Sequence, residues 1–332
     1  MKIWYWVPSG SRLTTGGTFI ASELEKRLAD FKHSESALVF NTGYMTNLGI
    51  LYGLLQTGDV VFSDELNHAS IIDGCRISRC KVVVYKHNDM ADLQRLLETE
   101  IVTGQRFIVT DGVFSMDGDI ADLPSLAVLK KQFNACLIVD DAHGVGVIGN
   151  DGSGTASHYG LTDVIDLQVG TLSKALAAEG GYVAGKKILI DYLINRSRPF
   201  IFSTALAPAT LAAANAALLL LQTQASKYID SLRANSRLMR RLLLEGGLNV
   251  VEGITPIIPV VIGEAGLTMQ FADRLKSKGI LVSGIRPPTV PRGESRLRIT
   301  VTAAHCEEQL RQAAQIITAL WQELKHGEKK EG

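Results

Sequence analysis

Residues 169–185 read VGTLSKALAAEGGYVAG and hold only two charged side chains, Lys174 and Glu179. Apolar runs at both ends predict two strands joined by a loop that carries the lysine. A lysine among small and apolar residues costs free energy unless it has a role. Such surroundings can lower a lysine's pKa and free the amine to form a Schiff base, whereas the ordinary alternative is a lysine that reaches out to solvent.

Strands and helices alternate through the first two thirds of the chain. The pattern predicts strands over residues 37–40, 60–62, 82–85, 107–110, 137–140, 167–169 and 182–184, and helices over residues 22–31, 45–55, 90–100 and 123–133. This order predicts an α/β fold with a large, mainly parallel seven-stranded sheet and helices on both faces. Sites in such folds lie at the carboxyl ends of the strands.

The remaining residues predict a smaller C-terminal α+β domain. The apolar stretch at 205–221 predicts a buried helix rather than a membrane span, because it is short and contains Pro208 and Asn215. Further helices are predicted over 228–245 and 307–325, and strands over 257–262, 280–282 and 297–301. We therefore expect a shortened N-terminal segment at 1–22, a large domain at 23–225 and a small domain at 226–332.

Composition excludes several classes of protein. Lys plus Arg and Asp plus Glu each number 34, so no net charge attracts nucleic acid or anionic lipid. The four cysteines show no CxxC spacing and predict reduced thiols. The first residues, MKIWYWVPSG, do not resemble a signal peptide. We expect a cytoplasmic protein without a bound metal and without a nucleic-acid or membrane partner.

The segment GVGVIG at 144–149 matches the GxGxxG pattern of dinucleotide sites. That site requires a helix to begin at the third glycine, so that its amino end can bind a pyrophosphate. Here the chain continues as NDGSGTASHYG, which predicts turns. The match therefore does not predict a nicotinamide site.

Two polar motifs directly follow predicted strands. DDAH begins at Asp140 after the apolar run CLIV, and a buried acid there needs a cationic partner. Alone, such an acid could also cap a helix or bind a metal. TLSK ends at Lys174 and offers the hydroxyls of Thr171 and Ser173. Because sites gather at the carboxyl ends of parallel strands, we expect the acid and the lysine at one edge of the sheet.

Two further motifs lie between a strand and a helix. NTGYMTN places Gly43 where backbone amides can bind phosphate, although an ordinary turn has the same composition. DELNHAS places His68 before a helix, where a lone histidine usually caps the helix or lies at the surface. Together with Asp140 and Lys174, these motifs predict pyridoxal 5′-phosphate (PLP) as the cofactor. The acid would keep the pyridine nitrogen protonated, and the lysine would bind the aldehyde and then move a substrate proton.

The chain resembles the α-oxoamine synthases, a family of fold type I PLP enzymes, over nearly its whole length. The motifs that carry the resemblance occur in the family's order from Gly10 to about His305: GSRLTTG, FNTGYMTNLG, DELNHASIIDG, HNDM, DGVFSMDGD, DDAHGVGVIG, TLSKA, GGYVAG, RPFIFST and GIRPPTVPRGESRLRITVTAAH. The resemblance implies that Lys174 forms the Schiff base and that Asp140 pairs with the pyridine nitrogen. It also implies that His143 binds the ring hydroxyl and that His68 stacks on the ring.

The resemblance extends to the phosphate of the cofactor. Gly43 and Tyr44 match the backbone part of the phosphate site, and Thr171 and Ser115 match residues of the cofactor pocket. Thr204 resembles the position that reaches the phosphate of the neighbouring subunit. The resemblance therefore implies a homodimer with shared active sites.

The substrate residues lie near both ends of the chain. Strand alternation in SRLRIT puts Arg296 and Arg298 on one face. Arg298 matches the family arginine that binds the amino-acid carboxylate, a task suited to a bidentate guanidinium. For Arg296 we expect a solvated charge at the strand end. Thr289 and Arg12 match positions near the acyl substrate.

GSRLTTG and IRPPTVP are most similar to the biotin-pathway members of the family. The implied reaction is a decarboxylative condensation of L-alanine with a pimeloyl thioester, carried by coenzyme A or acyl carrier protein. A glycine-using acyltransferase of the same family is the alternative.

Three departures from the family bear on activity. Only MKIWYWVPS precedes Gly10, whereas the family has a longer segment that brings an asparagine to the substrate. Ala21 stands where many relatives have histidine, and Ala177 replaces a common glycine. A truncated, PLP-binding but weakly active homologue is therefore a further alternative.

Overall fold

The computed structural model of the protein describes residues 10–331, and side chains as far as residue 325. Residues 1–9 of the predicted N-terminal segment lie outside the described residues. The strands are β1 (Ser36–Phe40), β2 (Val60–Asp64), β3 (Lys81–Tyr85), β4 (Arg106–Asp111), β5 (Ala135–Asp140), β6 (Leu167–Thr171), β7 (Gly181–Gly185), β8 (Ile257–Gly263), β9 (Ser283–Ile285) and β10 (Ser295–Thr300). The helices are α1 (Phe19–Phe31), α2 (Gly43–Leu54), α3 (Ala69–Ile77), α4 (Met90–Thr99), α5 (Leu123–Gln132), α6 (Thr155–His158), α7 (Lys187–Arg196), α8 (Arg198–Ile201), α9 (Pro208–Glu245), α10 (Ala265–Ser277) and α11 (Glu307–Glu331).

The described residues divide into two units. The first unit comprises residues 10–114 and Ile120–Ser226. The second comprises the loop Ser115–Asp119 and residues 227–331. Sequence patterns alone did not indicate that this loop belongs with the C-terminal residues.

The first unit contains a seven-stranded sheet in the order β1-β7-β6-β5-β4-β2-β3. Neighbouring strands from β2 to β6 pair in parallel, and β7 pairs antiparallel with β6 and β1. The predicted mainly parallel sheet is confirmed, and each of its predicted strands lies within an observed one.

Both faces of this sheet are covered, because successive residues of a strand point to opposite faces. In β4, Ile108 belongs to a buried cluster with Leu126 of α5. The next residue, Val109, belongs to a different cluster with Ile50 of α2 and Ile71 of α3. The predicted helices on both faces are therefore confirmed.

The second unit contains a three-stranded antiparallel sheet in the order β8-β10-β9. Its core includes Leu243 of α9, Phe271 of α10 and Trp321 of α11. The Phe271 and Trp321 rings stack with centroids 5.7 Å apart. This arrangement is the predicted α+β architecture.

The strand predicted over 280–282 is wrong, and the strand there is β9, three residues later. The apolar residues instead close the end of α10. Gly279 has a φ of 81°, its amide donates to the Lys276 carbonyl, and the Ile280 amide donates to the Leu275 carbonyl. These two bonds form a Schellman motif, in which the residue after the glycine packs on the helix it ends.

The apolar stretch at 205–221 forms the first part of α9, which has non-helical backbone angles at Gln224. Only one face of this part is buried, as at Leu218, while Leu219 and Leu220 are exposed by 46% and 48%. The predicted buried helix is therefore correct for one face. Among the described residues, no helix combines the length and apolar character needed to cross a membrane.

Candidate active site

Carboxyl-terminal strand ends bring four polar side chains to one edge of the large sheet. Asp64, Asp111, Asp140 and Thr171 are the last residues of β2, β4, β5 and β6. These strands run in parallel, and the register places Asp111 directly beside Asp140. The edge therefore concentrates buried carboxylates, all of them at most 7% exposed.

Both carboxylate oxygens of Asp140 accept hydrogen bonds. Oδ1 accepts from the Ala142 amide at 3.0 Å, and Oδ2 accepts from Nδ2 of Asn47 at 2.6 Å. Asn47 lies on α2 and is 2% exposed. These bonds fix the plane of the carboxylate, so that its orientation is set before any ligand binds.

His68 is the N-cap of α3 and is exposed. Its backbone amide donates to Oδ2 of Asp111 at 2.9 Å, which ties the histidine to the end of β4. Its ring nitrogen Nδ1 lies 2.8 Å from Oγ of Ser70. The predicted strand-end acid and the histidine are thus brought together within one unit.

Lys174 lies in the loop after β6 and is exposed, so the structure does not enclose it among apolar neighbours as the sequence suggested. Its carbonyl accepts from the Ala177 amide at 3.1 Å, which closes a turn. The inward positions of the loop are taken by Leu172 and Leu176, both buried. The Lys174 side chain therefore lies on the exposed side of this loop.

Asp111 carries the strongest electrostatic perturbation of this group. Burial raises its pKa well above the usual range, and the neighbouring Asp140 raises it further. The amide of His68 and the charge of Lys174 act in the opposite direction. The charge of Lys174 thus acts on the carboxyl at the end of β4.

The start of α2 has the features of a phosphate site. The Thr42 hydroxyl caps the helix by accepting from the Met45 amide at 3.0 Å. The amides of Gly43 and Tyr44 belong to the first turn and have no acceptor within the helix. A Cβ at Gly43 would lie 3.4 Å from Cβ of Thr171, so the glycine leaves open the space beside that threonine.

His143 is half-buried in the turn that follows Asp140. This turn is held by Asp141, whose Oδ2 lies 3.1 Å from Nζ of Lys32. Lys32 is 0% exposed and Asp141 is 1% exposed. Thr155 donates to the same carboxylate from its amide and its hydroxyl, each at 2.9 Å.

Thr204 and Arg12 lie near each other, because an isolated antiparallel bridge joins Ser11 to Thr204. The Thr204 carbonyl accepts from Nδ2 of Asn41 at 2.8 Å, and its side chain is exposed. Arg12 donates both terminal nitrogens to Glu25, each at 2.9 Å, and its guanidinium lies 5.4 Å from the centre of the Phe200 ring. Its described contacts are therefore structural.

The second unit holds the other predicted site residues. Nε of Arg298 donates to the Ser115 carbonyl, and burial lowers the pKa of the guanidinium. Thr289 is exposed, and its amide donates to the Arg286 carbonyl at 3.1 Å. Arg298 and Ser115 are thus joined within this unit.

Arg296 differs from its prediction as a solvated charge. Its side chain is only 6% exposed and forms ion pairs with Asp117 and Glu294. The bulge between Ser295 and Arg296 interrupts the register with β8, and the loop Ser115–Asp119 supplies the partner carboxylate. The prediction of a solvated charge at Arg296 is wrong because this loop covers the strand.

Comparison with known proteins decides the family of the chain. The family model for aminotransferase class I and II matches residues 8–317. The chain belongs to the class I and II aminotransferase family. Pyridoxal 5′-phosphate is therefore its cofactor, as the sequence predicted.

Within this aminotransferase family, the chain is similar to curated proteins named 8-amino-7-oxononanoate synthase. The protein from Lysinibacillus sphaericus is 51% identical over 301 residues, which cover 91% of this chain and 77% of the relative. The protein from Geobacter sulfurreducens is 51% identical over 315 residues, which cover 95% and 81%. The predicted resemblance to the biotin-pathway synthases is confirmed by these relatives.

Solved structures of the same family share the fold. Serine palmitoyltransferase from S. paucimobilis, solved with a bound PLP–myriocin aldimine, superposes with a TM-score of 0.93 at 31% identity, over 96% of this chain and 80% of that one. The 8-amino-7-oxononanoate synthase of Francisella tularensis gives a TM-score of 0.79 at 31% identity, over 93% and 88%. The predicted fold type I architecture is confirmed.

The residues at this edge of the sheet fit PLP. The open helix start of α2 suits a phosphate, the fixed carboxylate of Asp140 suits a protonated pyridine nitrogen, and Lys174 supplies an amine near both. Sequence reasoning missed Asn47 and Asp111. Asp111 ends an apolar strand just as Asp140 does, so the same criterion applied to RFIVTD would have found it.

Proposed function

We propose that the chain catalyses the decarboxylative condensation of L-alanine with a pimeloyl thioester, which forms 8-amino-7-oxononanoate for biotin biosynthesis. The observation that carries this proposal is the fixed Asp140 carboxylate at the same sheet edge as the open start of α2 and the loop of Lys174. Relatives of this name at about half identity over most of the chain support the substrate class.

The residues of the first unit would bind the cofactor. Lys174 would hold it through Nζ, Asp140 would pair with its ring nitrogen and His143 would bind its ring hydroxyl. His68, in front of α3, would stack on the ring. When bound, PLP supplies an aldehyde that condenses with amines and a ring that withdraws electrons from the substrate α-carbon.

The phosphate would lie at the start of α2. The amides of Gly43 and Tyr44 point away from the helix and would donate to it. The hydroxyl of Thr171, across from Gly43, would line the same pocket. We also assign Ser115 to the cofactor pocket.

Lys174 would also move the reacting proton. Once the amino group of L-alanine has replaced Nζ on the cofactor aldehyde, the freed amine would take the proton from the α-carbon. This carbon would then attack the thioester carbonyl and expel a thiolate, which would take a proton from solvent. The alanine carboxylate would leave as carbon dioxide. Lys174 would return a proton to the same carbon, which completes the amino ketone.

Three residues would bind the substrates. Arg298 would pair with the alanine carboxylate, since a guanidinium binds carboxylates through two parallel hydrogen bonds. Thr289 would lie near the acyl chain. Arg12 would lie there as well, through Nε, because its terminal nitrogens are bound to Glu25.

We further propose a homodimer in which Thr204 reaches the phosphate of the partner subunit. Two observations support this role. The Thr204 side chain is exposed, and its carbonyl accepts a hydrogen bond from Asn41, which lies two residues before the start of α2. We place the reaction in the cytoplasm, where the four free cysteines would stay reduced.

The test is an assay of the PLP-loaded protein with L-alanine and pimeloyl-coenzyme A, read out as 8-amino-7-oxononanoate by mass spectrometry. We expect product with L-alanine, none with the Lys174→Ala variant, and undiminished product with Lys187→Ala, which changes an exposed lysine outside the site. Product from glycine but not from L-alanine would contradict the assignment. Bound cofactor without any product would contradict it as well.

A further inference from the structure

Asp140 and His68 are joined by a chain of two buried side chains. Nδ2 of Asn47 lies 2.6 Å from Oδ2 of Asp140 and 2.9 Å from Oγ of Ser70. Oγ of Ser70 lies 2.8 Å from Nδ1 of His68. Asn47 is 2% exposed and Ser70 is 1% exposed, so water does not compete for the two hydrogen bonds of Asn47.

The chemistry of the groups fixes the direction of each hydrogen bond. An asparagine NH₂ has two protons and can only donate, so it donates to both the Asp140 carboxylate and the Ser70 hydroxyl. The opposite amide orientation would place an oxygen acceptor against the carboxylate oxygen. The Ser70 hydroxyl accepts from Asn47 through a lone pair and donates its single proton to Nδ1 of His68.

A second contact settles the state of the His68 ring. The backbone amide of Ser70 donates to Nδ1 of His68 at 3.3 Å. A backbone amide cannot accept, so Nδ1 must be the acceptor. Neutral His68 therefore carries its proton on Nε2.

The position of Asn47 on α2 makes it suited to couple two parts of the site. Asn47 lies four residues after Gly43, so both residues are on the same side of the helix. Gly43 lies beside Thr171 at the start of α2, whereas Asn47 donates a hydrogen bond to Asp140. One helix, α2, thus carries both the Gly43 and Tyr44 amides, which we assign to the phosphate, and Asn47, which contacts Asp140.

We propose that Asn47 is a positioning residue that orients the Asp140 carboxylate and, through Ser70, fixes His68 as the Nε2–H tautomer. The proposal rests on the proposed function, because Asp140 and His68 are the residues assigned to the cofactor ring. The described side-chain hydrogen bonds of Asn47 go to Asp140 and Ser70. Its effect is to present a carboxylate in one plane and an imidazole in one protonation pattern.

The first measurement needs no cofactor. Long-range ¹H–¹⁵N correlation spectra of the apo protein, with His68 assigned by a His68→Gln variant, report which ring nitrogen carries the proton. We expect the Nε2–H pattern in the wild type and a mixture of tautomers in Ser70→Ala and Asn47→Ala. Gln168→Ala removes another buried amide, one that donates to the Lys32 carbonyl, and should leave the His68 signals unchanged.

The second measurement separates the two bonds of Asn47. Asn47→Ala should weaken PLP binding by about tenfold, the effect of losing one hydrogen bond to a charged group. Ser70→Ala keeps the bond between Asn47 and Asp140, so its PLP affinity should fall less. If Asn47→Ala does not fold, Ser70→Ala alone still tests the tautomer.

Wild-type tautomer signals in both variants, or PLP affinity unchanged in Asn47→Ala, would overturn the inference. A wild-type protein that binds PLP but forms no amino ketone would instead contradict the proposed function. In that case the tautomer experiment still decides the role of Asn47. The two failures are therefore distinguishable.

Discussion

Replacing Lys32 by methionine should destabilise the protein by about 3–5 kcal/mol at pH 7, the typical loss when one partner of a buried ion pair is removed. The pair is fully enclosed, with Lys32 0% exposed, Asp141 1% exposed and Nζ 3.1 Å from Oδ2. Methionine fills most of the volume of the lysine stem, so the loss reports the buried acceptors left behind, the Asp141 carboxylate and the Ser153 carbonyl, which also accepts from Nζ. Thr155 still donates two hydrogen bonds to it, which keeps the loss within this range.

The assay is urea denaturation followed by circular dichroism, with Asp141→Asn and the double variant completing a cycle. The double variant should be more stable than Lys32→Met, because it no longer buries a charge without a partner. A loss below about 1 kcal/mol in Lys32→Met would refute the reasoning, since exposed ion pairs contribute that little.

The pH dependence of the stability of Lys32→Met follows from the direction in which folding shifts the pKa of Asp141. Burial raises the pKa of Asp141, whereas Lys32 lowers it, and the net direction is upward. A carboxyl whose pKa is raised by folding binds its proton more tightly in the folded state. The protein therefore loses stability as pH rises from the unfolded pKa of that carboxyl to its folded pKa. Removal of Lys32 should raise this pKa further, so the gap in stability between variant and wild type should shrink as pH falls towards about 4, the unfolded pKa, and stay constant below it.

Three further predictions concern single residues. Ala177 has a φ of 48°, where a side chain is strained, so Ala177→Gly should stabilise the protein by about 0.5–1 kcal/mol, measured as a rise in Tm; a fall would contradict it. Asp111→Asn should raise stability at pH 8 relative to pH 5, because it removes a carboxyl whose pKa burial and Asp140 raise; an unchanged pH profile of unfolding would argue against this. Burial alone would raise the pKa of Asp151, but hydrogen bonds led by that of His33 lower it to about 2, so its stabilising contribution should disappear as pH falls from about 5 to 2. Its side chain is 40% exposed, so Asp151→Asn should change the free energy of unfolding at pH 7 by only about 1 kcal/mol; a change above 2 kcal/mol would contradict this view.

The large sheet could be predicted from the sequence because its strands are buried on both faces. Runs such as FIV and CLIV are continuous apolar segments, which are typical of a covered parallel sheet. The acids that end these runs lie at the edge of the sheet to which we assign the cofactor. Asp140 was found in this way, and Asp111 could have been.

The parts that could not be predicted depend on contacts distant in sequence. The burial of Arg296 depends on Asp117, which lies in a loop from the first half of the chain. The run of Ile280 to Val282 is apolar, which fits a strand and the end of a helix equally well. Only the Schellman hydrogen bonds to Leu275 and Lys276 show that it follows the end of α10. Asn47 looks like an ordinary helix residue until Asp140 is seen beside it.

The central claim is that Lys174 holds pyridoxal phosphate at the sheet edge defined by Asp140. Borohydride reduction of the PLP-loaded protein, followed by peptide mass spectrometry, tests this claim most directly. We expect the reduced adduct on the peptide that contains Lys174, and none in the Lys174→Ala variant. An adduct on a different lysine in the wild type, or the same yield of adduct in the variant, would contradict the account.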